Sequence, residues 1–267
     1  MLINTVILFL KNALPVFIFC SLLLSILRNV NVGKYWLVKS LIVGCLCSVL
    51  FTWLVPTISN IAQGMGYEIF TSLVLMTNFM LFLVILSMLA SNANSATLTC
   101  ETRSTIKPLQ KLALQLAIAL LVMSNGSHFS IYLSGHWSTA ETGQTIVTGM
   151  LLGFGICSSF AILLYFAIDL FSRFYQQRIA LTLLILFSAG QFLQIVQLLN
   201  QVDLLPETQV LFNSEYLVAN SSELGYMFNS LVGYEATPTL MQLGFYSGAV
   251  FLSLLTLFIS AHAKEAI

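Results

Sequence analysis

Two short polar clusters interrupt apolar stretches of this chain. Ser124-Asn125-Gly126-Ser127-His128 lies within residues 112–133, and Lys11-Asn12-Ala13-Leu14-Pro15 lies within residues 2–27. Amides, hydroxyls and an imidazole at membrane depth are costly unless they face other protein or a water-filled path. Residues three apart share a helix face, so Asn125 pairs with His128 and Asn12 with position 15. Such groups offer reversible binding of a polar solute or ion in transit, and Asn12, Ser124, Asn125 and His128 are the candidate path residues. His128 has two readings. It is a neutral ligand for a divalent metal or a proton relay, or a structural contact bonded to Ser124 or Asn125.

The elements that must position these groups follow from composition. The chain is 58% hydrophobic and 7% charged, with a mean hydropathy of +0.93. A soluble domain carries about 25% charge, so a soluble enzyme is excluded. Net charge is zero, and nothing points to nucleic acid. A membrane helix needs about 20 mostly apolar residues. Seven stretches qualify: 2–27, 35–55, 69–89, 112–133, 146–171, 179–199 and 240–259. The first lacks the basic start and small-residue cleavage site of a signal peptide and is expected to remain as a helix. The expected fold is all-α, a single polytopic membrane domain over 1–267. Its partner is the lipid bilayer, with the cell membrane of a bacterium as the expected location.

Charge sets the expected orientation. Arg28, Lys34 and Lys39 follow the first stretch, Arg103, Lys107 and Lys111 the third, Arg173 and Arg178 the fifth, and Lys264 the seventh. The alternate connections hold Glu68, Glu141, Asp203, Glu207, Glu215, Glu223 and Glu235, without Lys or Arg. Lys and Arg collect on the cytoplasmic side, which places the N-terminus outside and the C-terminus inside. The segment 200–238 is then an extracytoplasmic cap. Helices 1–3 and 4–6 form an expected 3+3 inverted repeat plus one helix, an arrangement that places transporter sites at the repeat interface. Asp169 is expected to pair with Arg173 one turn on. Gln191, Gln194 and Gln197 recur every third residue, and they and Asn78 read as interhelical hydrogen-bonding groups rather than a pore lining. Cys20, Cys45, Cys47, Cys100 and Cys157 read as small buried hydrophobes.

Four further stretches carry a family likeness: Gly33-Lys34-Tyr35-Trp36, the run from Leu184 to Gly190, Leu204-Leu205-Pro206, and Gly233-Tyr234-Glu235-Ala236-Thr237-Pro238. In order and spacing the chain resembles the oxidase-dependent iron transporters, the iron permeases of bacteria and fungi, over nearly its whole length. The resemblance implies a permease fold with iron or another divalent cation as substrate and no resident cofactor. It also implies an Arg-Glu-x-x-Glu motif in helices 1 and 4. Those positions fall here on Lys11, Asn12 and Pro15, and on Ser124, Asn125 and His128. An acidic position early in helix 3 falls on or near Thr71, and a His-Glu pair falls on Asn200-Gln201.

Iron needs charged oxygen ligands to offset the loss of its water in a low-dielectric path. The altered positions supply no carboxylate, and Lys11 would repel a cation unless it snorkels outward. Two function classes follow. One is a permease moving iron or another metal cation between helices 1 and 4. The other is a non-transporting relative that assembles as a homo- or hetero-oligomer, or with an extracytoplasmic metal-binding or redox partner. A membrane enzyme lacks support: the chain has no HExxH, no GxSxG and no pair of acids within its spans, and without a Gly-rich phosphate loop binding of free nucleotides is unsupported too.

Overall fold

The computed structural model describes residues 2–27, 35–95, 108–136, 140–175, 178–206, 208–220 and 222–262. Arg28, Lys34, Arg103, Lys107, Lys264, Cys100 and Glu207 lie outside the described residues, as do the side chains of Glu141, Arg173 and Arg178. Much of the charge asymmetry and the Asp169–Arg173 pairing therefore fall outside the description.

Eight α-helices appear among the described residues: α1 (Leu2–Ile26), α2 (Tyr35–Ser59), α3 (Gly66–Ser95), α4 (Pro108–His136), α5 (Ala140–Tyr175), α6 (Arg178–Gln201), α7 (Glu223–Val232) and α8 (Leu240–His262). All but α7 are long and apolar enough to cross a membrane, which makes this a multi-pass membrane protein. The helices run past the apolar stretches that foretell them, since a helix does not stop where hydropathy does. α3 starts at Gly66 and α6 reaches Gln201.

The bundle has an inner and an outer set. α1, α3, α4 and α6 supply the core, in which Leu14, Ile18, Phe82, Leu86, Ile118, Leu121, Leu184 and Phe187 are fully buried. α2, α5 and α8 turn large apolar side chains outward, among them Leu46, Trp53, Leu163 and Phe251. In a bilayer those faces meet lipid, so packing rather than a hydrophobic drive must hold the helices together.

Small residues set the closest contacts. α2 packs on α4 and α1 on α5. A Cβ at Gly44 would stand 2.6 Å from Val122 Cβ, and one at Gly126 would stand 2.8 Å from Ser48 Oγ. Likewise a Cβ at Gly149 would come within 3.0 Å of Thr5, and one at Gly153 within 2.7 Å of Phe9. Many hydroxyls in the spans donate to carbonyls of their own helix, as Ser40 does to Trp36 and Ser188 to Ile185. That removes their cost at membrane depth.

The segment after α6 folds back over one end of the bundle. Ser222 caps α7 by accepting from the Gly225 N–H at 3.0 Å, and Gly233 ends the helix at φ 73°. Backbone N–H groups of Leu211 and Ser214 donate to Pro238 and Ala236, closing the segment on itself.

Candidate functional site

At the end of the bundle nearest this cap lies a polar cavity of about 370 Å³ between α1, α3, α4, α6 and α7. Lys11 and Asn12 reach it from α1, and Ser124, Asn125 and His128 from α4. The two polar clusters, far apart in sequence, thus share one space. Thr71 lines it as well. Pro15 is buried but does not reach it. Its contribution is to withhold the helical N–H from the Lys11 carbonyl.

Each wall has a distinct chemical state. The Asn125 Nδ2 donates to Leu121 O at 3.0 Å, and the Ser124 hydroxyl donates to the same carbonyl at 3.2 Å. These two side chains are largely satisfied by their own helix. Asn12 is only 9% exposed, and its Nδ2 has no partner among the described residues. An unmet buried donor costs about 1–3 kcal/mol, a debt that a ligand or water would cancel. Lys11 is exposed to the cavity side rather than buried in the helix contacts.

His128 is exposed and does not bond Ser124 or Asn125. Its Nδ1 lies 3.1 Å from the Tyr67 hydroxyl, with the two rings nearly perpendicular at 5.7 Å. Tyr67 belongs to the first turn of α3 and also lies 3.5 Å from the Ser127 hydroxyl. The histidine is therefore held from across the cavity, by a residue that sequence reasoning passed over.

Glu68 is the second omission. Read as a loop charge, it sits inside α3, lines the cavity and keeps its Oε2 buried without a partner. The site thus holds a carboxylate after all, one turn before Thr71. Gln194, Gln197 and Gln201 of α6 line the cavity too, as do Asn229 and Ser230 of α7. Gln194 and Gln197, expected as contacts between helices rather than a lining, line the cavity here. The signal was present in their three-residue spacing, which gives a face but not its neighbour.

Gln197 also donates to Glu235 Oε2 at 3.1 Å, and the Asn220 amide donates to Oε1. Burial pushes the Glu235 carboxyl above its ordinary value, while those two bonds and the Lys11 ammonium pull it back. The Gly233–Pro238 stretch is thereby tied to the cavity wall. It also touches α6 backbone to backbone, since a Cβ on Gly190 would stand 2.8 Å from Gly233 Cα.

No family model, curated protein or solved structure matches the chain. The site is read on its own geometry.

Beneath the cavity the same helix faces continue inward. Two helical turns along, seven residues after Asn12 and Leu75 and seven before Gln194, stand Phe19, Phe82 and Phe187. Their centroids are 4.9, 5.6 and 5.8 Å apart pairwise, and all three are fully buried. Between the two levels lie Asn78 and Gln191. Asn78 is 1% exposed with neither amide atom partnered, and Gln191 has a buried Oε1 without a partner. Among the described residues no group of three His, Cys, Asp or Glu could hold a metal ion. A larger cleft of about 820 Å³ between α1, α2 and α5, lined by Phe17, Leu24, Trp36 and Phe166, has no charged side chain among the described residues of its lining.

Proposed function

We propose that the protein is a permease and that the polar cavity is the outer half of its path. The observation that carries this reading is the meeting of Asn12 on α1 with Asn125 and His128 on α4 in one cavity. The unpartnered amide of Asn78 and the unpartnered Oε1 of Gln191 support a continuation of the path toward the phenylalanine layer. Groups left unsatisfied at membrane depth are expensive, and passage of a polar cargo is a reason to keep them. In this reading α1–α3 and α4–α6 are inverted halves with the cavity facing outward and the C-terminus in the cytoplasm. The packing of α1 on α5 mirrors that of α4 on α2, and glycines mark both contacts.

Resemblance to the iron permeases argues for iron or another metal cation as cargo, and Glu68 and His128 are the donors that support it. Lys11 in the same cavity weighs against a bare cation, as does a donor set made mainly of amides. Geometry favours a hydrophilic cargo in general over a site dedicated to metal.

A second reading has its own support. The closed layer of Phe19, Phe82 and Phe187 fits a non-conducting subunit that assembles with another membrane protein. Flux into proteoliposomes separates the two. Labelled Fe(II), Fe(III), Mn(II), Zn(II) and small polar solutes would be offered to the purified chain and to Asn125→Leu and His128→Ala. Saturable uptake lost in both variants supports the permease. Folded, inserted protein that takes up nothing supports the subunit.

A further inference from the structure

Lys11 and Glu68 bring one positive and one negative side chain to the same cavity from different helices, α1 and α3. Glu68 Oε2 has no partner among the described residues, which leaves one carboxylate oxygen for a ligand. Beside Lys11, the nine-tenths-buried Asn12 also lacks a partner for its Nδ2. One wall of the cavity is therefore a donor pole that calls for an anionic acceptor. Another is an acceptor pole that calls for a cationic donor.

Size and lining agree with an organic ligand. A volume of about 370 Å³ is far more than a dehydrated ion fills; at roughly 30 Å³ per water it matches about a dozen waters. Between the poles, Gln194, Gln201 and Asn229 offer amides that can give or accept hydrogen bonds. Free acetate would satisfy only the first pole, and a metal ion only the second. A molecule carrying a carboxylate and an ammonium satisfies both.

We propose that the cavity binds a small zwitterion of the amino-acid type, its carboxylate held by Lys11 and Asn12 and its ammonium by Glu68. This rests on the reading of the cavity as a cargo site, and it replaces the metal ion with an organic cargo.

Calorimetric titration of the full chain in lipid nanodiscs tests it, with glycine, L-serine and L-glutamine as zwitterions, acetate and methylammonium as half-ligands, and Fe(II) and Mn(II) as metals. The expected result is saturable binding of at least one amino acid, with each half-ligand weaker by about tenfold or more. Lys11→Met should lose the amino acid and acetate but keep methylammonium. Glu68→Gln should lose the amino acid and methylammonium but keep acetate. Misfolding cannot produce that split. Binding of Fe(II) or Mn(II) without any amino acid overturns the zwitterion and leaves the permease reading standing. If nothing binds to folded protein and nothing enters proteoliposomes, both fall together.

Discussion

The Tyr67 hydroxyl and His128 Nδ1 stand 3.1 Å apart and join the first turn of α3 to α4 at the polar cavity. The contact fixes the imidazole from the opposite wall, leaving Ser124 and Asn125 to bond within their own helix. Tyr67→Phe keeps the ring and removes the hydroxyl. One net hydrogen bond is worth about 1 kcal/mol, so melting should fall by about 2–4 °C. Cargo affinity should fall further than that loss of stability suggests, because His128 is no longer oriented. Thermal melting and flux, measured on the same preparation, check the difference.

Asn78 lies between the cavity and the phenylalanine layer with both amide atoms unpartnered. Asn78→Leu replaces a buried, unsatisfied amide with an apolar side chain of similar size. The variant should be more stable, by about 1–3 kcal/mol, since the desolvation cost of the amide disappears. Its transport should be slower than that of the parent chain. A variant that is both more stable and equally active would remove Asn78 from the path.

Burial holds the Glu235 carboxyl above its ordinary value of 4.5. The folded chain then keeps a proton that the unfolded chain has already released. Stability associated with this group is present below that ordinary value and is lost as pH rises through the raised one. Glu235→Gln should flatten that part of a melting curve taken from about pH 4 to 7. It should also lower stability at acidic pH, because one amide oxygen must serve the two donors Asn220 and Gln197.

Gly190 and Gly233 bring the backbone of α6 against the turn that ends α7. A Cβ on Gly190 would meet Gly233 Cα at 2.8 Å, and backbone cannot swing aside. Gly190→Ala should therefore destabilise by about 1–3 kcal/mol. Gly244→Ala on α8 meets nothing within 4 Å and should raise melting slightly, since Ala is the better helix former by about 0.5–1 kcal/mol. Comparing the two separates the contact from the general effect of replacing a glycine in a membrane helix.

Seven spans were legible because contrast with water is written into composition, residue by residue. Asn12, Asn125 and His128 were legible for the same reason, as polar residues standing out against apolar neighbours. Glu68 was not. The apolar stretch begins at Ile69, while the helix begins at Gly66, and a charge at that margin reads as a loop residue. Tyr67 carries no signal of its own until α4 is placed beside it. The phenylalanine layer was equally hidden. The chain has 20 phenylalanines, and hydropathy cannot separate Phe19 in the core from Phe166 and Phe251 on the outer faces. Which of them meet depends on the crossing of α1, α3 and α6.

The clustered rings of Phe19, Phe82 and Phe187 also bear on the electrical profile of the protein. In the permease reading, water filling the cavity as far as Asn12 would conduct, so little of a membrane potential would fall across it. The drop would then be concentrated over the three buried rings and the packed core beyond. Moving one elementary charge through 100 mV changes its free energy by about 2.3 kcal/mol. Entry into the cavity should then be nearly indifferent to voltage, and passage beyond the rings should carry almost all of the dependence. A divalent cation would feel that step at double strength. A zwitterion with no net charge would cross it without responding to the potential at all.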